Sequence, residues 1–169
     1  MKKIIAILSG AVLADQIAKG VLLSMAAGGW RLSGAAIELV PYPYLIARIA
    51  SWFNIVFTWN PGTSFSMLRE VPQLVMIFLT GAIIGFLAYH LFARIKKSGE
   101  KWAMSLIVGG ALGNLIDRVR FGAVIDFVDW HIGAWHWPAF NIADACICAG
   151  VGLYLLQCMK GKGKGKSNG

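Results

Sequence analysis

The sequence predicts an all-α integral membrane protein, four transmembrane helices carrying a small outward-facing β-element, and three observations predict it. Hydrophobic residues make up 57% of the 169-residue chain, whose mean hydropathy of +0.65 is too high for an ordinary soluble domain. Four apolar runs, at 4–25, 74–92, 102–119 and 142–159, have the roughly 17 to 25 residues that a helix needs to cross the hydrocarbon. The basic residues fall mostly on one side of such a four-span chain, as loop charges do in membrane proteins. A single membrane-embedded domain over 1–169 follows, with no long extramembrane part.

The first run follows Met1-Lys2-Lys3 and passes Val12-Leu13-Ala14, a pattern shared with cleavable secretory signals. The run resumes to Met25, however, and Asp15 and Lys19 stand i,i+4 on one helix face where they can pair, so an uncleaved first helix is expected. Residues 26–70 change composition to Pro, Trp, Tyr and alternating β-formers. Within them Ala36-Ile37-Glu38-Leu39-Val40 and Phe53-Asn54-Ile55-Val56-Phe57-Thr58-Trp59 read as short strands, punctuated by Pro41, Pro43, Pro61 and Gly62. A small aromatic sheet at headgroup level is the expected result. Gly81 and Gly85 in the second run, and Gly109 and Gly113 in the third, have the spacing of close helix contacts. A short aromatic loop is expected between the third and fourth runs. After the fourth, residues 160–169 alternate lysine and glycine without an apolar face, and read as a disordered tail that at most touches anionic lipid.

Sixteen basic against eight acidic residues give a net charge of +8, but the bases form topology signals and no nucleic-acid-binding face. Lys2, Lys3, Arg94, Lys96, Lys97, Lys101, Lys160, Lys162, Lys164 and Lys166 share one side, which the positive-inside rule makes cytoplasmic together with both termini. Arg31, Arg48, Arg69, Arg118 and Arg120 are the outward minority. Cys146, Cys148 and Cys158 all lie in the fourth run and read as small packing residues. His90 is expected on the cytoplasmic side and His131 and His136 on the other, so no metal site is expected. No cofactor is expected either, and no serine or cysteine stands in a nucleophile motif.

Acids are rare here, and a carboxylate placed against a bilayer needs a reason. Asp126, in Val124-Ile125-Asp126-Phe127, sits in an apolar setting that only a partner or a role makes tolerable. Asp144, in Phe140-Asn141-Ile142-Ala143-Asp144, has a structural alternative: Asn141 as a helix N-cap with Asp144 reaching back to it in a capping box. Brought together, the pair can share one proton, because the charge on one raises the pKa of the other. Asn114 inside the third run needs hydrogen-bond partners, whereas Asp117 and Arg118 can be read as interfacial charges that stop the helix, and Asp129 as a solvated loop acid.

Taken in order, Asp15-Gln16 with Lys19, Asn60-Pro61-Gly62-Thr63-Ser64-Phe65, Gly113-Asn114 with Asp117-Arg118, Val124-Ile125-Asp126-Phe127 and Phe140-Asn141-Ile142-Ala143-Asp144 make the chain resemble the lipoprotein signal peptidase family, the type II signal peptidases. Thr63, Ser64 and Pro61 depart from the usual pattern of the family and leave the two aspartates untouched. The resemblance implies an aspartic endopeptidase of the bacterial inner membrane with a periplasmic β-cradle and a short periplasmic loop between helices 3 and 4; a monomer is expected. It implies diacylglyceryl prolipoproteins as substrates, cut before the lipidated cysteine. Asp126 and Asp144 would be the catalytic pair; Asn60, Gly62, Asn114, Arg118 and Asn141 would line or support the site, and Asp15, Lys19 and Asp117 would brace it.

Carboxylates activating water fit the residues themselves, with Asp144, near a helix N-terminus, the better candidate for the ionised partner. A small proton-coupled transporter is the rival reading, although it places its carboxylates near the midplane among broken or repeated helices. A non-catalytic assembly factor is the other, and would tolerate amide substitutions of both aspartates.

Overall fold

The protein is described by a computed structural model over residues 1–26, 44–62 and 72–163. The elements run α1 (Lys2–Ala26), β1 (Tyr44–Ala50), β2 (Phe53–Asn60), α2 (Gln73–Tyr89, continued by a π-turn over His90–Arg94), α3 (Ser98–Phe121), β3 (Val124–Ile132), β4 (Trp135–His136) and α4 (Ile142–Gly163). The expected strand at 36–40 and residues 63–65 of the second motif lie outside the described residues, as do Arg31, Arg69, Lys164 and Lys166.

Helix α3 is the centre of the bundle and packs against α1, α2 and α4. Glycine makes this possible. A Cβ on Gly110 would stand 2.4 Å from the Ala143 carbonyl oxygen, and one on Gly109 2.8 Å from that of Leu8, so α4 and α1 approach α3 backbone to side. A Cβ on Gly113 would meet Asp15 Oδ2 at 2.7 Å. The expectation for the second run is corrected: among the described residues nothing lies within 4 Å of where a Cβ on Gly81 or Gly85 would be, because α2 meets the bundle through Ile84 and its neighbours instead.

Among the described residues three helical segments are long and apolar enough to cross a membrane: Lys2–Ala26, Gln73–Arg94 and Ile142–Lys160. Their outer faces carry exposed Leu13, Ile17, Phe78, Phe86, Leu153 and Leu156. Helix α3 has the length, but Asn114, Asp117, Arg118 and Arg120 make its second half polar. It ends at Gly122, which takes φ +73° and donates its N–H to the Arg118 carbonyl at 3.0 Å, a left-handed cap that suits glycine. Helix α4 runs to Gly163, past the expected end at 159, so the start of the basic tail is helical.

The segment between α3 and α4 is not the short loop expected from the sequence. Val124–Ile132 forms a nine-residue strand, and the sheet has the antiparallel order β1-β2-β3-β4, so its two halves come from chain segments separated by α2 and α3. β3 alternates poorly because four consecutive residues, Val124 to Phe127, are all buried. Such a run gives no period-2 signal. Strand β1 was equally hard to foresee, since register shifts between Leu45 and Ala47 and between Arg48 and Ala50 break its alternation. Leu23 of α1, Phe57 of β2 and Ile125 of β3 form a buried cluster with Trp59 and Phe121 around it, which seats the sheet on the C-terminal ends of α1 and α3.

Candidate active site

β3 pairs with β2 so that Asp126 lies opposite Thr58 and Val124 opposite Asn60. That register brings the Asn60 amide to Asp126, with Nδ2 donating to Oδ2 at 2.8 Å. The other face of the Asn60 amide is fixed by Gly62, which at φ +99° donates its N–H to Asn60 Oδ1 at 2.9 Å. Asp126 Oδ1 accepts a second amide bond from Asn141 Nδ2 at 2.7 Å.

Asn141 immediately precedes α4, and it does three things at once. Its Oδ1 accepts the Asp144 N–H at 2.9 Å while its own N–H donates to Asp144 Oδ2 at 3.2 Å, the reciprocal capping box. Its Nδ2 reaches Asp126, and also the Asn114 Oδ1 at 3.1 Å and the Ile125 carbonyl at 3.2 Å. Asn114 Nδ2 completes the circuit by donating to Asp144 Oδ1 at 2.8 Å. The capping role of Asp144 and its place beside Asp126 are therefore one arrangement, since the box turns the carboxylate toward the site.

Below this layer Lys19 is buried with three acceptors for its three N–H bonds: Asp15 Oδ2 at 2.7 Å, Asp117 Oδ2 at 2.8 Å and Asn114 Oδ1 at 3.1 Å. Asp15 Oδ1 accepts the Ala143 N–H at 2.9 Å, tying α1 to the first turn of α4, and Asp117 Oδ2 accepts the Ile125 N–H at 3.2 Å, tying α3 to β3. Asp117 is fully buried, which corrects its reading as an interfacial charge. Gln16 was missed as a site residue; its Nε2 donates to Asp117 Oδ1 at 2.9 Å and to the Gly113 carbonyl at 3.2 Å. Its position beside Asp15 and one turn before Lys19, in an otherwise apolar run, was the signal available.

Burial in an apolar setting and the negative charge of Asp144 push Asp126 up to about 7, against the pull of the Asn60 and Asn141 amides and of the Lys19 charge. Arg118, in the last turn of α3, is within electrostatic reach of Asp144, Asp126 and Asp117. Its Nη1 is 3.4 Å from the Asn114 carbonyl, and its buried Nε has no hydrogen-bond partner among the described residues.

Asp129 does not behave as the solvated loop acid the sequence suggested. It is only 7% exposed and takes Asn54 Nδ2 on Oδ2 at 2.9 Å and His136 Nδ1 on Oδ1 at 2.7 Å. Burial raises its pKa, but the bonds from His136 and Asn54 and the imidazole charge outweigh it and leave the carboxyl below its usual range. No group of three or more His, Cys, Asp and Glu side chains is placed to hold a metal ion among the described residues.

A polar layer of two carboxylates and three amides over a buried cation, among helices with apolar outer faces, is an arrangement that suits a membrane enzyme working by acid–base chemistry. The comparisons with known proteins narrow that class. The family described as signal peptidase (SPase) II matches residues 7–160, and the chain belongs to that family. It is similar to the lipoprotein signal peptidase of Janthinobacterium sp. (strain Marseille), 44% identical over 119 residues that make up 69% of this chain and 72% of the relative. The lipoprotein signal peptidase of Oleidesulfovibrio alaskensis is 39% identical over 145 residues, 83% of this chain and 92% of its own. A bacterial membrane enzyme solved in meso at 2.3 Å shares the fold with a TM-score of 0.78 and 27% identity, covering 100% of this chain and 94% of its own.

Proposed function

We propose that this peptidase removes the signal peptide from diacylglyceryl-modified prolipoproteins, cutting before the lipidated cysteine, with Asp126 and Asp144 as its catalytic pair. Family membership supports signal-peptide removal from prolipoproteins. The observation that carries the residue assignment is the Asn141 bridge, a side chain that binds Asp126 with one end while its backbone and oxygen hold Asp144.

The electrostatics divide the labour. Asp126, held up near neutral pH, is the proton donor, and Asp144 at the start of α4 is the base. Asp144 takes a proton from water as the water oxygen bonds to the scissile carbonyl carbon, and Asp126 gives its proton to the carbonyl oxygen. In the resulting diol, Asp144 returns its proton to the amide nitrogen, the C–N bond breaks, and one hydroxyl reprotonates Asp126 as the new carboxyl forms. Arg118, whose Nε has no partner among the described residues, supplies a donor and positive charge where oxyanion character develops. Asn60 and Asn114 hold the acids in place, and the Lys19 cluster braces the layer beneath them.

A four-span topology supports the same chemistry. With α3 as the fourth span, Lys2, Lys3, Arg94, Lys96, Lys97, Lys101 and Lys160 share the cytoplasmic side, and the sheet and the dyad face the periplasm. Acyl chains on the substrate cysteine then stay in the bilayer while the bond is cut near its outer surface.

The test is cleavage of a diacylglyceryl prolipoprotein by purified protein in detergent. Wild type is expected to release the signal peptide before the lipidated cysteine, and folded Asp126→Asn and Asp144→Asn to lose at least about a thousandfold in rate. Near-normal cleavage by either variant removes that residue from the mechanism.

A further inference from the structure

We propose that Asp129 and His136 are positioning residues that set the register between the two catalytic carboxylates. The proposal rests on the peptidase reading above and concerns the chain that joins its two acids. Asp126 lies on β3 and Asp144 on α4, and the segment between them turns at Gly133 and doubles back along β3 before α4 begins.

Three attachments hold that return, beside the Phe127 N–H on the Phe140 carbonyl at 3.0 Å and the Phe140 ring against Trp130. The Trp137 N–H donates to the Trp130 carbonyl at 2.8 Å, the Val128 N–H donates to the Phe140 carbonyl at 2.8 Å with the Phe140 N–H returning at 3.2 Å, and His136 Nδ1–H donates to Asp129 Oδ1 at 2.7 Å. The residue after Phe140 is Asn141, which binds both acids. Any sliding of the return segment along β3 therefore carries Asn141 with it and changes how Asp144 faces Asp126.

The first two attachments are backbone bonds, which can re-form in a shifted pairing. The carboxylate–imidazole contact belongs to one register only. It is also anchored: Asp129 Oδ2 is held by Asn54 of β2, and the His131 ring stacks on His136 at 4.8 Å with 20° between the planes. Asn54, Asp129 and His136 thus fasten β2, β3 and β4 at one point. The half-exposed imidazole touches no reacting atom and acts only through Asn141.

The experiment measures kcat and KM for a diacylglyceryl lipopeptide from about pH 5 to 9 for wild type, His136→Leu, His136→Asn and Asp129→Asn. His136→Leu is expected to lose roughly tenfold to a hundredfold in kcat with KM nearly unchanged, the size of effect that small misplacement of reacting groups produces. Its basic limb is expected to move to lower pH, because separating the acids weakens the push of Asp144 on Asp126. His136→Asn presents an N–H close to the place of Nδ1 and is expected to recover most of kcat, and Asp129→Asn to show a smaller loss with the same shift of the limb. His136→Leu and Asp129→Asn that both keep the wild-type kcat and pH limb overturn the proposal, as does a loss confined to melting temperature or KM. Failure of wild type to cleave is a separate outcome, and it overturns the peptidase reading instead.

Discussion

At the scale of single residues, proton occupancy and buried charge decide how this site behaves. Asp126 sits at about 7, well above the usual carboxylate range near 4. In its proposed role as proton donor it is lost as pH rises, so kcat/KM is expected to fall above about pH 7 with a slope of one proton, measured by lipopeptide cleavage across a buffer series. Stability follows the same sign. A raised folded-state pKa means the native form holds its proton longer, so the contribution is fully present below about 4 and lost as pH rises through about 7. Wild type is therefore expected to melt at a lower temperature at pH 8 than at pH 5, and Asp126→Asn to show a flatter dependence. Lys19 makes the complementary case. Its ammonium stands between Asp15 and Asp117 with almost no exposure, so Lys19→Met leaves two buried acids facing each other. Removing one partner of such a cluster costs about 3–5 kcal/mol. Thermal melts in detergent are expected to show that loss, and the triple variant Asp15→Asn, Lys19→Met, Asp117→Asn to melt above Lys19→Met alone.

Helices and strands fix the distances that these residues need, and α3 is the element on which they depend. Gly110 lets it lie against Ala143 at the start of α4, one residue before Asp144. In Gly110→Ala the new methyl meets the Ala143 carbonyl, which is backbone and cannot rotate away, so α4 must move outward. That variant is expected to lose roughly 1–3 kcal/mol of stability and to lose kcat with it, while Gly81→Ala, facing open space on α2, changes neither. This contrast also marks how far the sequence could be read. Gly81 and Gly85 share the spacing of Gly109 and Gly113, and spacing alone cannot say which helix has a neighbour on that face. Polar residues in apolar runs were legible because burial forces them to find partners, and Asp15, Lys19, Asn114, Asp126, Asn141 and Asp144 do lie in one connected network. Strand β3 was not legible because its inner end is buried on both faces, and Asp129 was misread because its partners, Asn54 and His136, come from other strands. Gln16 reads in the sequence as an ordinary polar neighbour, although its bonds to Asp117 and to the Gly113 carbonyl separate it from a surface amide.

Considered as a whole molecule, the protein concentrates its chemistry at one end of a helical bundle and its positive charge at the other. Asp117 and Asn114 lie in the last turns of α3, and Asp15 and Lys19 in the second half of α1, whereas Lys2, Lys3, Lys96, Lys97 and Lys101 gather where α1 and α3 begin. Between Lys3 and Lys19 a helix rises about 24 Å, most of the thickness of a hydrocarbon core, which supports the proposal that the two ends lie at opposite interfaces. In the proposed topology the positive end faces the cytoplasm and the dyad opens on the far side. The polar residues of α3 are no obstacle to its spanning, because its buried acid and amide are satisfied by α1, β3 and α4 and do not meet lipid. This predicts the outcome of labelling in a chain freed of its own thiols by Cys146→Ala, Cys148→Ala and Cys158→Ala. Trp135→Cys, on the exposed turn into β4, is expected to react with a membrane-impermeant maleimide in spheroplasts, and Lys97→Cys, between the second and third helices, only after lysis. The reverse pattern inverts the topology and places the aspartates on the cytoplasmic side. Labelling of both positions in spheroplasts leaves α3 on one side of the bilayer, and the four-span arrangement with it is lost.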